Sequence, residues 1–258
     1  MLWKKIKTIL SPDDKRAARQ QMPAHALKET IREKRKSDSL VGPKLGGRAL
    51  AQSLISGLKD QRGVHIETLL CAVGSLAGYS VQASVRESLV RQGGEPEDKV
   101  FVIAHGRDGK KYFFGDALNK PLAEDQYSVW NLAAGAATHL GCHQPVTVEE
   151  IFKHAAATVG TPEFGIPRIP EGHRPVDPPS NWVKHAWPKA LATVQDYCES
   201  PSEWPAAFGI AIQEVMAQAK DVIDPCLALS IIMECAIPMS KGTRQRSSVP
   251  FLNSVDNC

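Results

Sequence analysis

The chain has 258 residues, enough to bury a substantial hydrophobic core as one large domain or two small ones. Its hydrophobic content of 43% and charged content of 23% are ordinary for a globular protein, and no apolar run approaches the roughly 20 residues that a transmembrane helix needs. The net charge of +3 hides an asymmetry, because residues 1–45 carry twelve Lys and Arg against five Asp and Glu, a net of +7, whereas the rest of the chain has a net of −4.

The basic N-terminal segment, residues 1–47, is predicted to be a flexible arm. Apolar residues recur at helical spacing between lysines at its start and predict a short amphipathic helix that ends before Pro12. From Asp13 onward the segment is polar and basic and then rich in Gly and Pro, so it has too few apolar residues to offset the entropy cost of ordering. The first helix of the folded body is therefore predicted at residues 48–59.

The charge of this arm suggests two classes of partner. A short helix with Trp3 among lysines suits an anionic membrane surface, and the later Arg and Lys run suits phosphate contacts to a nucleic acid. A solvated tail without any partner is an equally simple interpretation, because runs of like charge commonly serve solubility alone. Association with membrane or nucleic acid through residues 1–45 is one hypothesis to test.

The folded body is predicted to begin at Gly63 with its most apolar helix. One face carries apolar residues at i, i+3, i+4 and i+7 spacing. These are Ile66, Leu69, Leu70, Val73, Leu76 and Ala77. The opposite face carries small residues, namely Cys71, Gly74, Ser75 and Gly78. A second element is therefore expected to approach this helix closely. Gly78 is predicted to end it, and Ser84 to Glu87 to open the next helix as a capping box.

The clearest hairpin follows, from Val100 to Asp116. Asp108-Gly109 suits the central positions of a two-residue type I′ turn. That turn would place one set of residues on a common face, namely Phe101, Ile103, His105, Tyr112, Phe114 and Asp116. Both faces are largely apolar, so we expect helices to cover the hairpin on both sides.

The C-terminal half is predicted to be helical and to be interrupted by a proline-rich strap, residues 161–180, which carries six prolines. Helices are expected at residues 129–140, 151–159, 181–198, 205–222 and 225–236, and a disordered tail at residues 239–258. The strap is expected to wrap over these helices, with Phe164, Ile166 and Ile169 as apolar contacts. The predicted fold is therefore a predominantly helical α+β domain over residues 48–238, with a central apolar helix packed on a hairpin.

Six scattered cysteines, with no CxxC pair, favour free thiols in a reducing compartment over a disulfide framework. The first ten residues lack the features of a secretory signal. We therefore expect a cytoplasmic location. No phosphate-binding loop, dinucleotide fingerprint, HExxH or GxSxG motif occurs, so nucleotide hydrolysis, Rossmann cofactors and the common hydrolases lose their usual support. We expect no cofactor.

Residues 62–122 resemble the core of transglutaminase-like and arylamine-acetyltransferase-like proteins. The phrase from Arg62 to Glu67 is similar to the approach to the catalytic cysteine, the phrase from Ala77 to Val81 to the helix exit, and Phe114-Gly115-Asp116 to the strand of the catalytic aspartate. The resemblance implies a papain-like cleft. His65 stands where the cysteine would be, so the resemblance implies a catalytically silent relative.

Three other sets of residues carry groups that could take part in chemistry. Cys71 is the rival nucleophile, but its apolar neighbours favour a buried structural thiol. A zinc site would need donors that lie near one helix end. These are His139, Cys142, His143 and His154. They lack paired ligand spacing, so no metal is expected. The strap also carries polar residues of interest, namely Glu163, His173, Arg174 and Asp177.

The sequence thus predicts a non-catalytic binding or interaction protein with a degenerate thiol-enzyme-like cleft. The residues expected to line that cleft are His65, Glu67, His105, Asp116 and Arg174. The alternatives are a cysteine-dependent transferase or hydrolase that uses Cys71, and a protein that associates with membrane or nucleic acid through residues 1–45. The partner is otherwise open, with another protein as one hypothesis.

Overall fold

A computed structural model describes residues 24–242. The amphipathic helix predicted before Pro12 and the tail beyond Gly242 lie outside these residues. The chain divides into a first unit that ends at Gly42 and a second unit that begins at Pro43. In the first unit, a helix runs from Ala24 to Arg35 and carries basic residues in its last turn.

The second unit is predominantly helical, with one small antiparallel sheet, which confirms the predicted α+β class. In chain order, the α-helices of the described residues, both units included, are α1 (Ala24–Arg35), α2 (Val41–Leu58), α3 (Ile66–Val85), α4 (Glu97–Val100), α5 (Asp116–Asn119), α6 (Val129–His139), α7 (Val148–Ala157), α8 (Pro179–Tyr197), α9 (Trp204–Ala219) and α10 (Pro225–Lys241). The strands are β1 (Val102–His105) and β2 (Lys111–Phe114). Two π-helical segments, Arg86–Gln92 and Lys120–Glu124, and two short 3-10 segments, Glu171–His173 and Pro201–Glu203, complete the regular structure.

Helix α2 begins earlier than the sequence predicts. It starts at Val41 instead of residue 48, so the prediction of a flexible arm is wrong for residues 41–47. The reason lies in packing: a Cβ at Gly47 would lie 2.8 Å from the side chain of Ile210 on α9. Gly47, which the sequence analysis assigns to the flexible arm, therefore allows α2 and α9 to approach each other closely.

The core of the second unit is the pair formed by α3 and α10, which are buried along nearly their whole length. Gly74 lies against Ile232, and Gly78 lies against Ala236. The contacts advance in the same direction along both helices, so the two helices run parallel. The predicted close approach to the small-residue face of α3 is confirmed.

The predicted end of α3 at Gly78 is wrong. The helix continues to Val85 and then passes directly into the π-helical segment, so Ser84 opens no new helix. A Cβ at Gly78 would overlap the backbone carbonyl of Ala236. This glycine is needed for helix contact and not for a C-cap. Helices α8 and α9 also pack on α3, while α6 packs on α9 and α7 packs on α10.

The hairpin forms where it is predicted, but its register differs by one residue. Ile103 pairs with Phe113, whereas a two-residue turn would pair residue 103 with residue 114. A slip of one residue exchanges the faces of a strand. Phe113 therefore shares a face with Phe101, their rings meeting edge-on at 5.5 Å, and Tyr112 lies on the other face. The hairpin is covered only in part, because Val102 is 66% exposed.

The turn itself explains this register. The N–H of Gly109 donates to the carbonyl of Gly106 at 3.0 Å, and Gly109 adopts φ = +75°. Asp108 does not adopt the positive φ that a type I′ turn requires, since every positive φ in the described residues belongs to a glycine. Its carboxylate instead accepts hydrogen bonds from the amide of Lys110 and the hydroxyl of Tyr112. A three-residue loop with a glycine bulge results.

The C-terminal end of α10 is more ordered than predicted. The tail is expected from residue 239, yet the helix continues to Lys241, whose side chain is 1% exposed. The Lys241 Nζ donates to Asn119 Oδ1 at 3.0 Å and lies 5.3 Å from the ring of Phe152. The amide of Gln82 on α3 donates to the carbonyls of Ser240 and Gly242, which would otherwise lack partners at the helix end.

A disulfide joins Cys142, in the loop after α6, to Cys226 in the first turn of α10. This corrects the prediction that the cysteines are free thiols. The spacing gave no signal because the two residues are 84 positions apart. The pairing removes the cysteine argument on which the cytoplasmic prediction depended, since structural disulfides persist in oxidising compartments. Cys71 and Cys235 are buried cysteines outside this disulfide.

The strap crosses the core from the hairpin to the start of α3. Near its beginning, the ring of Phe164 meets that of Tyr112 edge-on at 4.8 Å. In the middle of the strap, the guanidinium group of Arg168 donates two hydrogen bonds to the buried carboxylate of Glu234 on α10. Its Nη2 and Nε lie 2.6 and 2.9 Å from Oε1. Ile169 packs on the core as expected, whereas Ile166 is 58% exposed.

One helical stretch in residues 24–242, Ile66–Gln92, has the length and mean hydropathy, 1.3, of a membrane span. The sequence predicts no such stretch. Ninety-four per cent of its most apolar window is buried inside the protein, as is typical of the core helix of a folded domain.

We expect Gly78→Ala to destabilise the protein, because the added methyl group would overlap the Ala236 carbonyl and separate α3 from α10. The free energy of unfolding, measured in urea, should fall by about 1–3 kcal/mol. Gly135→Ala on α6 is the matched control, since a Cβ there meets nothing within 4 Å. The control should be neutral or more stable by about 0.5–1 kcal/mol. Equal effects at both positions would contradict the proposed packing role.

A second prediction concerns Lys241. Burial lowers the pKa of Lys241 from 10.5 to about 8, and the charge of Glu124 offsets this only in part. Between pH 8 and 10.5 the unfolded chain therefore holds more protons than the folded one, so stability should rise with pH in this window, by on the order of 3 kcal/mol. Urea unfolding at pH 7.5 and 10 measures it.

Lys241→Met should abolish this rise and should be more stable than the unaltered protein at pH 7.5. Lys189→Met, at an exposed position of α8, should keep the rise. A rise that persists in Lys241→Met would show that other groups cause it.

Candidate functional site

His65 is the N-cap of the central helix α3. Its Nδ1 accepts a hydrogen bond from the backbone N–H of Thr68 at 3.3 Å and lies 2.8 Å from the Thr68 hydroxyl. Because this nitrogen accepts the N–H, it carries no proton in the neutral ring, and the proton lies on Nε2. Local chemistry thus fixes both the tautomer and the orientation of His65, whose side chain remains 52% exposed.

Glu67 lies between two imidazoles. Its Oε1 is 2.9 Å from Nδ1 of His173 on the strap, and its Oε2 is 3.6 Å from Nε2 of His65. The Glu67 side chain is 13% exposed, whereas that of His173 is 40% exposed. We call His65, Glu67 and His173 the His–Glu–His cluster. It presents two solvent-facing rings on either side of one largely buried carboxyl group.

The carboxyl group of this cluster is charged at neutral pH. Burial raises the pKa of Glu67. Hydrogen bonds from His173 and from its own backbone N–H, together with the charges of the two imidazoles, lower the pKa by a larger amount. The net effect is a pKa below the ordinary glutamate value of 4.5. A carboxylate can only accept hydrogen bonds, so Nδ1 of His173 is the donor. In the neutral ring, Nε2 of His173 then carries a lone pair.

The strap is fastened to α3 beside this cluster. The amide of Val176 donates to the Thr68 hydroxyl oxygen at 3.1 Å, and the carbonyl of Asp177 lies 3.8 Å from the thiol of Cys71. Because Thr68 also contacts His65, one side chain connects the strap to the N-cap. The first turns of α3 and residues 173–177 therefore form one surface.

Among the residues predicted to line a cleft, His65 and Glu67 lie together, but His105 and Asp116 do not join them. The contact of Asn119 with Lys241, and that of Gln82 with Ser240, place α5 at the C-terminal end of α3. Residues 65 and 82 are about 25 Å apart along the helix. Asp116 is exposed near that far end and His105 is exposed on the hairpin, so the predicted five-residue cleft is wrong.

Arg174 is also exposed, and it forms no hydrogen bond or ion pair with the cluster within the described part of the chain. Its neighbour His173 occupies the position that the prediction gave to Arg174. The sequence does single out His173 as a polar strap residue. Its partner Glu67 is 106 positions away, so no local pattern connects the two.

Cys71, the rival nucleophile, lies two turns into α3 and is completely buried. Its thiol is close to the hydroxyl of Ser75 at 3.9 Å and contacts the buried Cys235 of α10. Burial and the neighbouring Cys71 thiol raise the pKa of Cys235. A thiolate nucleophile needs exposure and nearby positive charge, and neither cysteine has them.

A shallow groove lies elsewhere in the second unit, between α6 and α9. It has a volume of about 330 Å³ and is lined by seven residues, three of which are glycine or alanine. The lining residues are Gly135, Ala136, His139, Leu140, Gln213, Glu214 and Ala217. Its titratable side chains are those of His139 and Glu214. Across residues 24–242, no group of three or more His, Cys, Asp or Glu side chains is arranged to hold a metal ion.

No family model, curated protein or solved structure matches this chain. The resemblance of residues 62–122 to thiol enzymes therefore stays a prediction. The structure adds that the position of the absent cysteine, His65, and the aspartate position, Asp116, lie towards opposite ends of α3.

The buried setting of Cys71 leads to a labelling prediction. In the native protein at pH 6, iodoacetamide should leave Cys71 and Cys235 unmodified, because both side chains are inaccessible. Cys198, which is partly exposed, serves as the internal control and should react first. Peptide mass spectrometry before and after denaturation in urea measures each site. Labelling of Cys71 faster than Cys198 in the folded protein would support the thiol-enzyme alternative.

Proposed function

We propose that this chain is a non-catalytic binding protein and that its binding site is the His–Glu–His cluster at the start of α3. The observation that carries the proposal is the shared carboxylate: Glu67 contacts the Nδ1 of His173 and lies close to the Nε2 of His65, while both rings remain open to solvent. A group that fixes two exposed imidazoles prepares them for recognition at little entropy cost on binding.

The surroundings support binding more than covalent catalysis. Every candidate nucleophile beside the cluster is occupied or buried: the Thr68 hydroxyl bridges His65 and Val176, and Cys71 is completely buried. A nucleophile must reach the substrate and be deprotonated by an adjacent base. The enzyme alternative through Cys71 has no such arrangement to support it.

The site is formed by two separate segments of the chain, the strap and the start of α3, and this arrangement suits a binding role. Residues 173–177 form one side of the surface, and the first turns of α3 form the other. Loops that are held on a rigid scaffold commonly carry binding residues. The alternative through the basic arm concerns residues 1–45, and most of these lie outside the described range.

A ligand panel tests the site. Thermal unfolding would be followed for the unaltered protein, Glu67→Gln, His173→Gln and the control His185→Gln, which alters an exposed histidine of α8. The panel would contain amines, carboxylates, sugars and nucleotides at millimolar concentration. We expect at least one class to raise the unfolding temperature of the unaltered protein and of the control but not of the cluster variants, because only ligands of the native fold stabilise it.

Stabilisation of all four proteins to the same extent would place binding outside the cluster. The proposed site would likewise be contradicted if no ligand class changed the unfolding temperature of the cluster variants differently from that of the control.

A further inference from the structure

We propose that residues 170–178 of the strap form a lid that opens locally while the helices stay folded, and that its opening exposes the thiol of Cys71. The latch of this lid is the contact of His173 Nδ1 with Glu67 Oε1 at 2.9 Å. The His–Glu–His cluster thus has a role beyond the proposed function, and the motion of the lid does not depend on which ligand the cluster binds.

The lid lies directly over Cys71. The carbonyl oxygen of Asp177 is 3.8 Å from the Cys71 thiol, and the amide of Val176 donates to the hydroxyl of Thr68 at 3.1 Å. Cys71 is completely buried, whereas Asp177 is exposed and Val176 is 75% exposed. The residues that contact α3 on one side therefore face water on the other, so their displacement brings water to the thiol.

Both ends of the lid are fixed to the core. Before the lid, Arg168 donates to the buried carboxylate of Glu234 on α10, and Ile169 packs on the hydrophobic core. After the lid, Pro179 is buried as the first residue of α8. A segment that is held at two ends can move between them while the helices keep their positions, as hinged loops do.

Between these ends, few contacts hold the lid closed. Three of its nine residues are proline and offer no N–H group. Within residues 24–242, its hydrogen bonds to α3 are the contact of His173 with Glu67, the amide bond of Val176 to Thr68 and the weak contact with the Cys71 thiol. Segments with few buried contacts open at a lower free energy than the whole fold. The lid therefore opens before the helices separate.

The rate of cysteine alkylation tests the lid. The full chain would be treated with iodoacetamide at pH 8 without denaturant, and modification of Cys71 and Cys235 would be followed over time by peptide mass spectrometry. Cys235 on α10 is also completely buried but forms no hydrogen bond with the lid in the described part of the chain, so it reports global unfolding. We expect Cys71 to react faster than Cys235, because its rate follows the population of the open lid.

Two variants weaken the closed state of the lid. Thr68→Val keeps the shape of the side chain and removes the acceptor of the Val176 amide. His173→Ala removes the contact with Glu67 and leaves α3 unaltered. The rate of Cys71 alkylation should rise about three- to tenfold in Thr68→Val, which loses a neutral hydrogen bond. It should rise about tenfold or more in His173→Ala, which loses a hydrogen bond to a charged group.

Arg174→Ala is the matched control, because Arg174 is an exposed residue of the lid and forms no hydrogen bond with α3 within the described residues. It should leave both rates unchanged, and the Cys235 rate should stay constant in all three variants. If Thr68→Val fails to fold, Cys235 reacts rapidly and His173→Ala, at the surface, decides.

Two results would overturn the proposal. Equal acceleration of Cys71 and Cys235 in His173→Ala would show that the Cys71 thiol is reached only by global unfolding. A Cys71 rate that is the same in both lid variants as in the unaltered protein would show that residues 170–178 do not control access to it.

Discussion

The parallel contact between α3 and α10 is the constraint on which the rest of the second unit depends. The helices approach so closely because Gly74 and Gly78 expose bare backbone to Ile232 and Ala236. Protein interiors are packed as densely as organic crystals, so a methyl group at this contact has nowhere to go. The other large helices of this unit pack around the pair or against its neighbours, and the two ends of α3 become the two places where polar groups gather.

Polar groups at those ends hold segments that have little regular structure of their own. At the C-terminal end, Lys241 and Gln82 fix the last turn of α10, although burial of a lysine costs stability at neutral pH. The strap, rich in proline, offers few amide donors and is held mainly by side chains. Arg168 on Glu234 and His173 on Glu67 are its charged anchors, and the second anchor is also the candidate site.

Part of this site could be read from the sequence. His65 and Glu67 precede and open a strongly periodic helix, so their proximity follows from local geometry. His173 is recognisable in the sequence only as a polar residue of the strap, and nothing local distinguishes it from Arg174 beside it. The sequence places His105 and Asp116 in the same cleft, Asp116 by resemblance to another architecture, whereas the length of α3 separates Asp116 from His65.

The sequence by itself determined the features that depend on neighbours along the chain: the apolar stripe and small-residue face of α3, the positions of the C-terminal helices, the existence of the hairpin and the extended strap. The tertiary structure alone decided the partner of the small face, the hairpin register, the pairing of Cys142 with Cys226 and the meeting of His173 with Glu67. Periodicity and turn chemistry act over a few residues, whereas these contacts join residues far apart in the chain, or depend on a one-residue difference that local preferences do not resolve.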